Sequence, residues 1–308
     1  MLDFVGKRYW FFLFSALLSL VCIVSLVLFG LKPGIDFRSG SSMTLSFEPP
    51  VSENDLRSVL AESGYGNAVV RHTSDDDYII RMDELNADQN RNLLENINTK
   101  LATTTTQKDF SSSSEVVASN TVKYAAIAIV VASLCILLYI SFTFRKMPKP
   151  FSWGICAIIA LVFNVLVVAG IFSLLGKFAD VEVDALFITG MLTVVGYSVH
   201  DTIVVFDRIR ENLSHSSGSF ENVVNSSIIQ TIIRSLNTSL TILFVLVALF
   251  LLGGPTIRNF VLVLIIGCIA GTYSSICNAS QFLIVVENKE YSRLNPFRKR
   301  NQGSLSEF

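Results

Sequence analysis

Charge is scarce in this chain. Only 16% of its 308 residues are Asp, Glu, Lys or Arg, against about 25% in an ordinary soluble domain. That is too little to coat a water-facing globule, which excludes a soluble enzyme. There is no excess of positive charge either: a net charge of −1 argues against nucleic acid as a partner. A disulfide framework is missing as well. Cys22, Cys135, Cys156, Cys268 and Cys277 all fall inside apolar runs, and no CxxC pair suggests a metal. They read as small core or lipid-facing residues. Disorder is opposed by 23 Phe and long aliphatic stretches.

Those stretches are the main content of the sequence. A spanning helix needs about 20 mostly apolar residues. Six runs qualify, at 9–29, 123–144, 152–174, 184–207, 230–252 and 258–285. The first is longer than the 7–15 apolar residues typical of a cleaved signal peptide and lacks a small-x-small cleavage pattern, so it reads as a retained signal anchor. With the N-terminus inside, the inner segments hold twelve cations: Lys7, Arg8, Arg145, Lys146, Lys149, Arg208, Arg210, Lys289, Arg293, Arg298, Lys299 and Arg300. The short outer loops hold only Lys177 and Arg258. Both termini are therefore expected in the cytoplasm.

Residues 31–122 form one long outer loop with 8 Lys/Arg and 14 Asp/Glu, and loops of this length translocate regardless of charge. Strand-like segments lie at 43–48, 67–72 and 78–82, with a weaker one at 107–117. Ser52 caps a helix carrying Leu56, Val59 and Leu60, and Asn86 caps another carrying Leu93, Leu94, Ile97 and Leu101. The Ser74-Asp75-Asp76-Asp77 cluster supplies a break. The order β-α-β-β-α-β predicts a ferredoxin-like domain, with Thr103–Thr106 and Ser111–Ser114 as an exposed, pliable edge. The expected organisation is a signal-anchor helix over 1–30, an extracytoplasmic α+β domain over 31–122, a five-helix transmembrane bundle over 123–286 and a basic cytoplasmic tail over 287–308.

A charged side chain at a helix centre costs about 2.5–3.5 kcal/mol on insertion scales and needs a reason. Asp201 sits inside the fourth span, where Thr193, Tyr197 and Asp201 recur every four residues on one face. In the fifth span Arg234, Thr238 and Thr241 recur at spacings of four and three, with Asn237 on a neighbouring part of that face. Asp201 lies about 9 Å from the inner end near Asp207 and Arg234 about 6 Å from an inner start near Gln230, by helical rise. On adjacent antiparallel helices the two would stand at similar heights. A carboxylate beside a fixed cation can be tipped between charged and neutral forms, and arginine does not deprotonate, so Asp201 would carry the proton. The bland alternative is a structural ion pair. His200 points about 100° away, and a packing role competes with proton relay. Asp207, Arg208 and Arg210 read as an interfacial anchor, Asp184 as an outer helix cap, and Gly267, Gly271, Ser275 and Ala279 as a close-packing ladder.

Several segments resemble the SecF family of protein-export membrane subunits. They are Gly196-Tyr197-Ser198-Val199-His200-Asp201-Thr202 running on to Phe206-Asp207-Arg208-Ile209-Arg210-Glu211-Asn212, Gly34-Ile35-Asp36-Phe37, Asn237-Thr238-Ser239-Leu240-Thr241, and Gly271-Thr272-Tyr273-Ser274-Ser275. The likeness covers nearly the whole chain, least in the outer domain. It implies a six-span half-transporter of the resistance-nodulation-division type in a bacterial cytoplasmic membrane, paired with a SecD-like subunit and associated with the SecYEG channel and a translocating preprotein. It implies the use of proton flow to assist export, without cofactor, with Asp201 and Arg234 at the family's intramembrane carboxylate and arginine. The glycine-rich end of the family's first motif reads Arg38-Ser39-Gly40 here, so Gly34, Asp36, Phe37 and Gly40 stand for that motif. His200 replaces the usual Asn, and Cys277 and Asn278 replace a commoner apolar pair.

Two other classes remain at this point. A proton-driven small-molecule exporter of the same superfamily would need a substrate path through the bundle. An intramembrane aspartyl protease would need two carboxylates sharing a proton, yet Asp184 and Asp201 lie about 25 Å apart along one helix. The expectation is a non-enzyme with no metal.

Overall fold

The computed structural model describes residues 3–73, 77–147, 149–215 and 218–287. The expected break at Ser74–Asp76 and the basic tail beyond Glu287, with five of the twelve inner cations, lie outside the described residues. Among the described residues six helices are long and apolar enough to cross a membrane, and the molecule is a multi-pass membrane protein. They are α1 (Arg8–Phe29), α4 (Glu115–Thr143), α5 (Pro150–Phe178), α6 (Ala185–His215), α7 (Phe220–Leu252), and a last span built from α8 (Pro255–Ser274), a π turn (Ser275–Ala279) and α9 (Ser280–Glu287).

The helices outrun the apolar runs. Helix α4 begins at Glu115, so the expected boundary at 122 falls inside it, and the weak strand expected over 107–117 ends at Ser113. Helix α6 continues to His215, and α7 starts ten residues before the expected Gln230. Hydropathy reports where lipid would lie, whereas a helix runs on until something caps it. Helix α7 starts where the Ser219 side chain accepts the Asn222 N–H. The expected inner anchor residues therefore stand on helix, where Arg210 pairs with Asp207 at 2.7 Å and Arg208 with Glu211 at 2.6 Å.

The chain divides into two compact units. One comprises residues 33–128 and 182–185. Its four strands, β1 (Gly40–Glu48), β2 (Val69–His72), β3 (Tyr78–Met82) and β4 (Thr104–Ser113), form an antiparallel sheet in the order β2-β3-β1-β4. With α2 (Glu53–Glu62) and α3 (Ala87–Leu101) this is the ferredoxin-like arrangement. The Ser52 cap forms, as does a full capping box at Asn86 and Gln89. Alternate residues of β1 and β3 bury Met43, Leu45, Phe47, Tyr78 and Ile80 against Leu56, Leu60, Leu93 and Ile97 of the helices. The stretches expected as an edge, Thr103–Thr106 and Ser111–Ser114, contribute Thr104–Thr106 and Ser111–Ser113 to the two ends of β4, which is an edge strand of the sheet, paired along β1 from Glu48.

The second unit, residues 1–32, 129–181 and from 186 onward, is helical. Helices α5, α6 and the last span bury about half or more of their apolar windows, while α1, α4 and α7 leave most of theirs exposed. Phe144 and Trp153 stack, and Phe206 meets both rings edge-on, forming one aromatic cluster. The small-residue ladder of α8 fits α6 step for step. A Cβ on Gly267 would lie 2.1 Å from a Val194 methyl, Gly271 abuts Ser198, and Ser275 Oγ lies 2.9 Å from Thr202 Oγ1. Close backbone approach of this kind lets short polar side chains meet across helices.

Ile80 is fully buried. Ile80→Ala should cost the α+β domain about 2–5 kcal/mol, read as a lower urea midpoint for its proteolysis in the detergent-purified chain, with the membrane-spanning fragments unchanged.

Candidate functional site

Asp201 is 5% exposed, midway along α6. Its depth is set by helical phase: Val194, Ser198 and Thr202 face α8, and Asp201, three residues beyond Ser198, turns toward α7. The group facing its carboxylate there is the Ser235 hydroxyl. The two do not close a hydrogen bond: Ser235 Oγ and Asp201 Oδ2 are both buried and, among the described residues, both without a partner.

The expected ion pair with Arg234 is not formed. Arg234 is exposed on α7, and no ion pair of its side chain occurs among the described residues. Arg234 directly precedes Ser235, so the two helices do meet at the expected height, and the difference is one of rotation by about 100°. Asn237, Thr238 and Thr241 share the outward face with Arg234. Their polar stripe is real, but it points away from Asp201. His200 is exposed too, and Thr193 is exposed with its hydroxyl returned to the Thr189 carbonyl.

Tyr197 is half-buried, and its hydroxyl lies 2.7 Å from Ser239 Oγ of α7. Ser239 Oγ in turn lies 2.6 Å from Thr272 Oγ1 of α8. Three helices are thus joined by hydroxyls one turn from Asp201. On the other side of α6, Asn164 of α5 donates to Ser198 Oγ, while Thr202 and Ser275 hold α6 against the last span. The π turn follows at once. Ser280 Oγ donates to the Ser275 carbonyl, five residues back, at 3.1 Å. Asn278, within the turn, accepts the Ser15 hydroxyl of α1 at 2.7 Å. The unexpected polar residue of the last span therefore has a defined partner, and π turns recur at functional sites.

Sequence reasoning missed Ser235, Asn164 and Gln281. Gln281 is fully buried with neither amide atom bonded. A signal for Ser235 does exist: Ser227, Thr231, Ser235 and Ser239 recur every four residues along α7.

The first motif sits in the α+β unit and acts as a clasp. Gly34 N–H donates to the Val183 carbonyl at 2.7 Å, and a Cβ on Gly34 would approach that oxygen to 2.9 Å. The Asp36 carboxylate accepts the Ala185 N–H at 2.8 Å, Phe37 N–H closes a turn onto the Gly34 carbonyl, and Arg81 pairs with Glu182. Gly40, at φ 142°, opens β1 opposite Ser113. These residues fix the segment at 182–185. They belong to the α+β unit, and Asp201 to the helical one.

Residues 93–289 match the family model "Protein export membrane protein SecD/SecF, C-terminal", and residues 24–51 match "SecD/SecF GG Motif". The chain is 46% identical over 306 residues to a protein translocase subunit SecF of Thermobaculum terrenum, covering 96% of each. It is 35% identical to that of Anaerolinea thermophila, covering 94% of this chain and 96% of the relative. It is also similar to the crystal structure of SecDF, a translocon-associated membrane protein from Thermus thermophilus, at 31% identity and a TM-score of 0.79. That match covers 93% of this chain and 39% of the SecDF chain, so the chain spans about two-fifths of the solved protein.

Asp201 makes no ion pair among the described residues, and its Oδ2 is left without a hydrogen bond, so the charged form is a cost to the fold. Asp201→Asn should leave the melting temperature of the detergent-purified chain unchanged or higher, since removing an unpaired buried charge is neutral or favourable. A structural ion pair would instead lose about 3–5 kcal/mol, seen as a fall of several degrees.

Proposed function

The chain belongs to the SecD/SecF family of protein-export membrane proteins, and on that premise we propose that it is the SecF-type accessory subunit of a Sec preprotein translocase, using the proton motive force to assist export. The observation that carries the reading is a buried carboxylate in the middle of a membrane span, Asp201, whose Oδ2 has no hydrogen-bond partner among the described residues. Intramembrane ionisable groups are costly and are kept for ion pathways and proton relays. One charge crossing 100 mV releases about 2.3 kcal/mol, enough to shift a two-state helix packing appreciably.

In this reading the protein lies in the bacterial cytoplasmic membrane with both termini and the α6–α7 turn inside. The ferredoxin-like domain lies outside, where an emerging preprotein passes. The exposed polar face of α7, with Arg234, Asn237, Thr238 and Thr241, is unsuited to lipid and is covered by the SecD-like subunit. Arg234 then acts across that interface or after a rotation of α7, because at rest it faces away from Asp201. The SecYEG channel and the preprotein complete the assembly. The role is not enzymatic: protonation of Asp201 alters how α6 packs on α7.

Asp201→Asn should abolish the proton-driven stage of export while the subunit still assembles. Export would be followed in cells whose only copy is the variant, and assembly by co-purification of a SecD-like chain. Normal export by the variant rules the mechanism out. Drug efflux by this chain alone, without a co-purifying partner, would point to the exporter instead.

A further inference from the structure

Asp201 needs a way to deliver its proton to the inner face, and α6 offers none. Val205, Phe206 and Ile209, which follow Asp201 on the buried side of α6, are fully buried and apolar. Helix α7 differs. Ser227, Thr231 and Ser235 stand on its buried face at spacings of four, exposed by only 0%, 7% and 2%. Each rung is about 6 Å from the next by helical rise, a gap that one bridging water closes. Ser227 Oγ donates to the Val223 carbonyl at 2.7 Å and Thr231 Oγ1 to the Ser227 carbonyl at 2.9 Å, so each keeps its lone pairs for a further bond. Ser235, the rung facing Asp201, is not bonded to its own backbone in this way: its hydroxyl is free, and so is Asp201 Oδ2. At the other end Ser227 Oγ accepts from Asn212 Nδ2 at 2.8 Å, and Asn212 also donates to Gln230, an exposed residue held by Arg208.

We propose that the hydroxyl ladder Ser235–Thr231–Ser227 on the buried face of α7 is the inner half of the proton route, carrying protons from Asp201 to the Asn212–Gln230 cluster at the end of the α6–α7 hairpin. The proposal rests on the reading of Asp201 as the proton carrier. Asp201 gives its proton to a water beside Ser235. Each hydroxyl accepts one proton from the water before it and gives its own to the water after it, Thr231 and Ser227 turning theirs from the i−4 carbonyl. The last proton passes from Ser227 to a water beside Gln230, because Asn212 Nδ2 donates to Ser227 and takes no proton. The carboxylate is left charged, and no rung is changed. The other titratable or charged groups near Asp201 are off this line. His200 and Arg234 are exposed, while Cys268 of α8 lies with Tyr197 and Ser239 on the opposite side of the Asp201 level.

The test uses inverted membrane vesicles carrying the full chain with its SecD-like partner and the SecYEG channel, and measures the rate of proton-driven export into the lumen and of the accompanying proton loss from it. Thr231→Val keeps shape and removes the hydroxyl, and should slow both about a hundredfold, the low end of what a lost proton-transfer group costs. Thr231→Ser should restore the rate, a rescue that a packing role filled by the branched side chain would not give. Ser227→Ala should slow both rates as well, and decides the matter if Thr231→Val fails to accumulate. Wild-type rates for Thr231→Val and Ser227→Ala, with Asp201→Asn inert, overturn the ladder and leave the coupling reading standing. Wild-type rates for Asp201→Asn overturn both.

Discussion

An ionisable group inside an apolar bundle can be solvated only by what the neighbouring helices bring to it, and the packing of this protein follows from that constraint. Lipid supplies no hydrogen bonds, so the polar side chains of α6 are met from three sides: Asn164 of α5 at Ser198, Ser275 of the last span at Thr202, and Ser239 of α7 at Tyr197. Such short side chains reach one another only because α8 presents glycine where it crosses α6. Every member of that girdle has a hydrogen bond across a helix boundary, while among the described residues Asp201 Oδ2 and Ser235 Oγ, one turn along, have none. The contrast separates the groups that hold the bundle together from the group that can change state within it.

Much of this is legible in the residue pattern. Runs of about 20 apolar residues mark all six spans, and the period of two in MTLSFE and YIIRM marks β1 and β3. The Ser52 and Asn86 caps follow from side chains that bond free backbone N–H groups at a helix start. The ends of α4, α6 and α7 are less legible, because apolar runs measure the lipid-facing length and helices outlast it. Asp201 stands out by being charged. Its neighbour does not: charge draws the eye to Arg234, whereas the structure turns the uncharged Ser235 inward. Sequence spacing gives a height along an axis to within a residue, but one residue of phase is about 100° of rotation, enough to exchange inside for outside.

The last span illustrates how local geometry absorbs a mismatch. Ser275 must point at α6 and Asn278 at α1, and the π turn between them accommodates both. Above the turn the α8 face is set by its contact with α6, and below it α9 is set by its own contacts with α5 and α7. Neither half dictates the rotation of the other.

The clasp at residues 33–36 and 182–185 bears on how the chain is made. The segment leading into α6 finds its partners, Gly34 and Asp36, in peptide that leaves the ribosome long before it. Synthesis in order from the N-terminus therefore presents a finished docking edge to each later arrival. Closing so long a ring adds little entropy beyond that of a shorter one. The start of the span that bears the carboxylate is registered by residues already in place, so the chain needs no later segment to set where that helix begins.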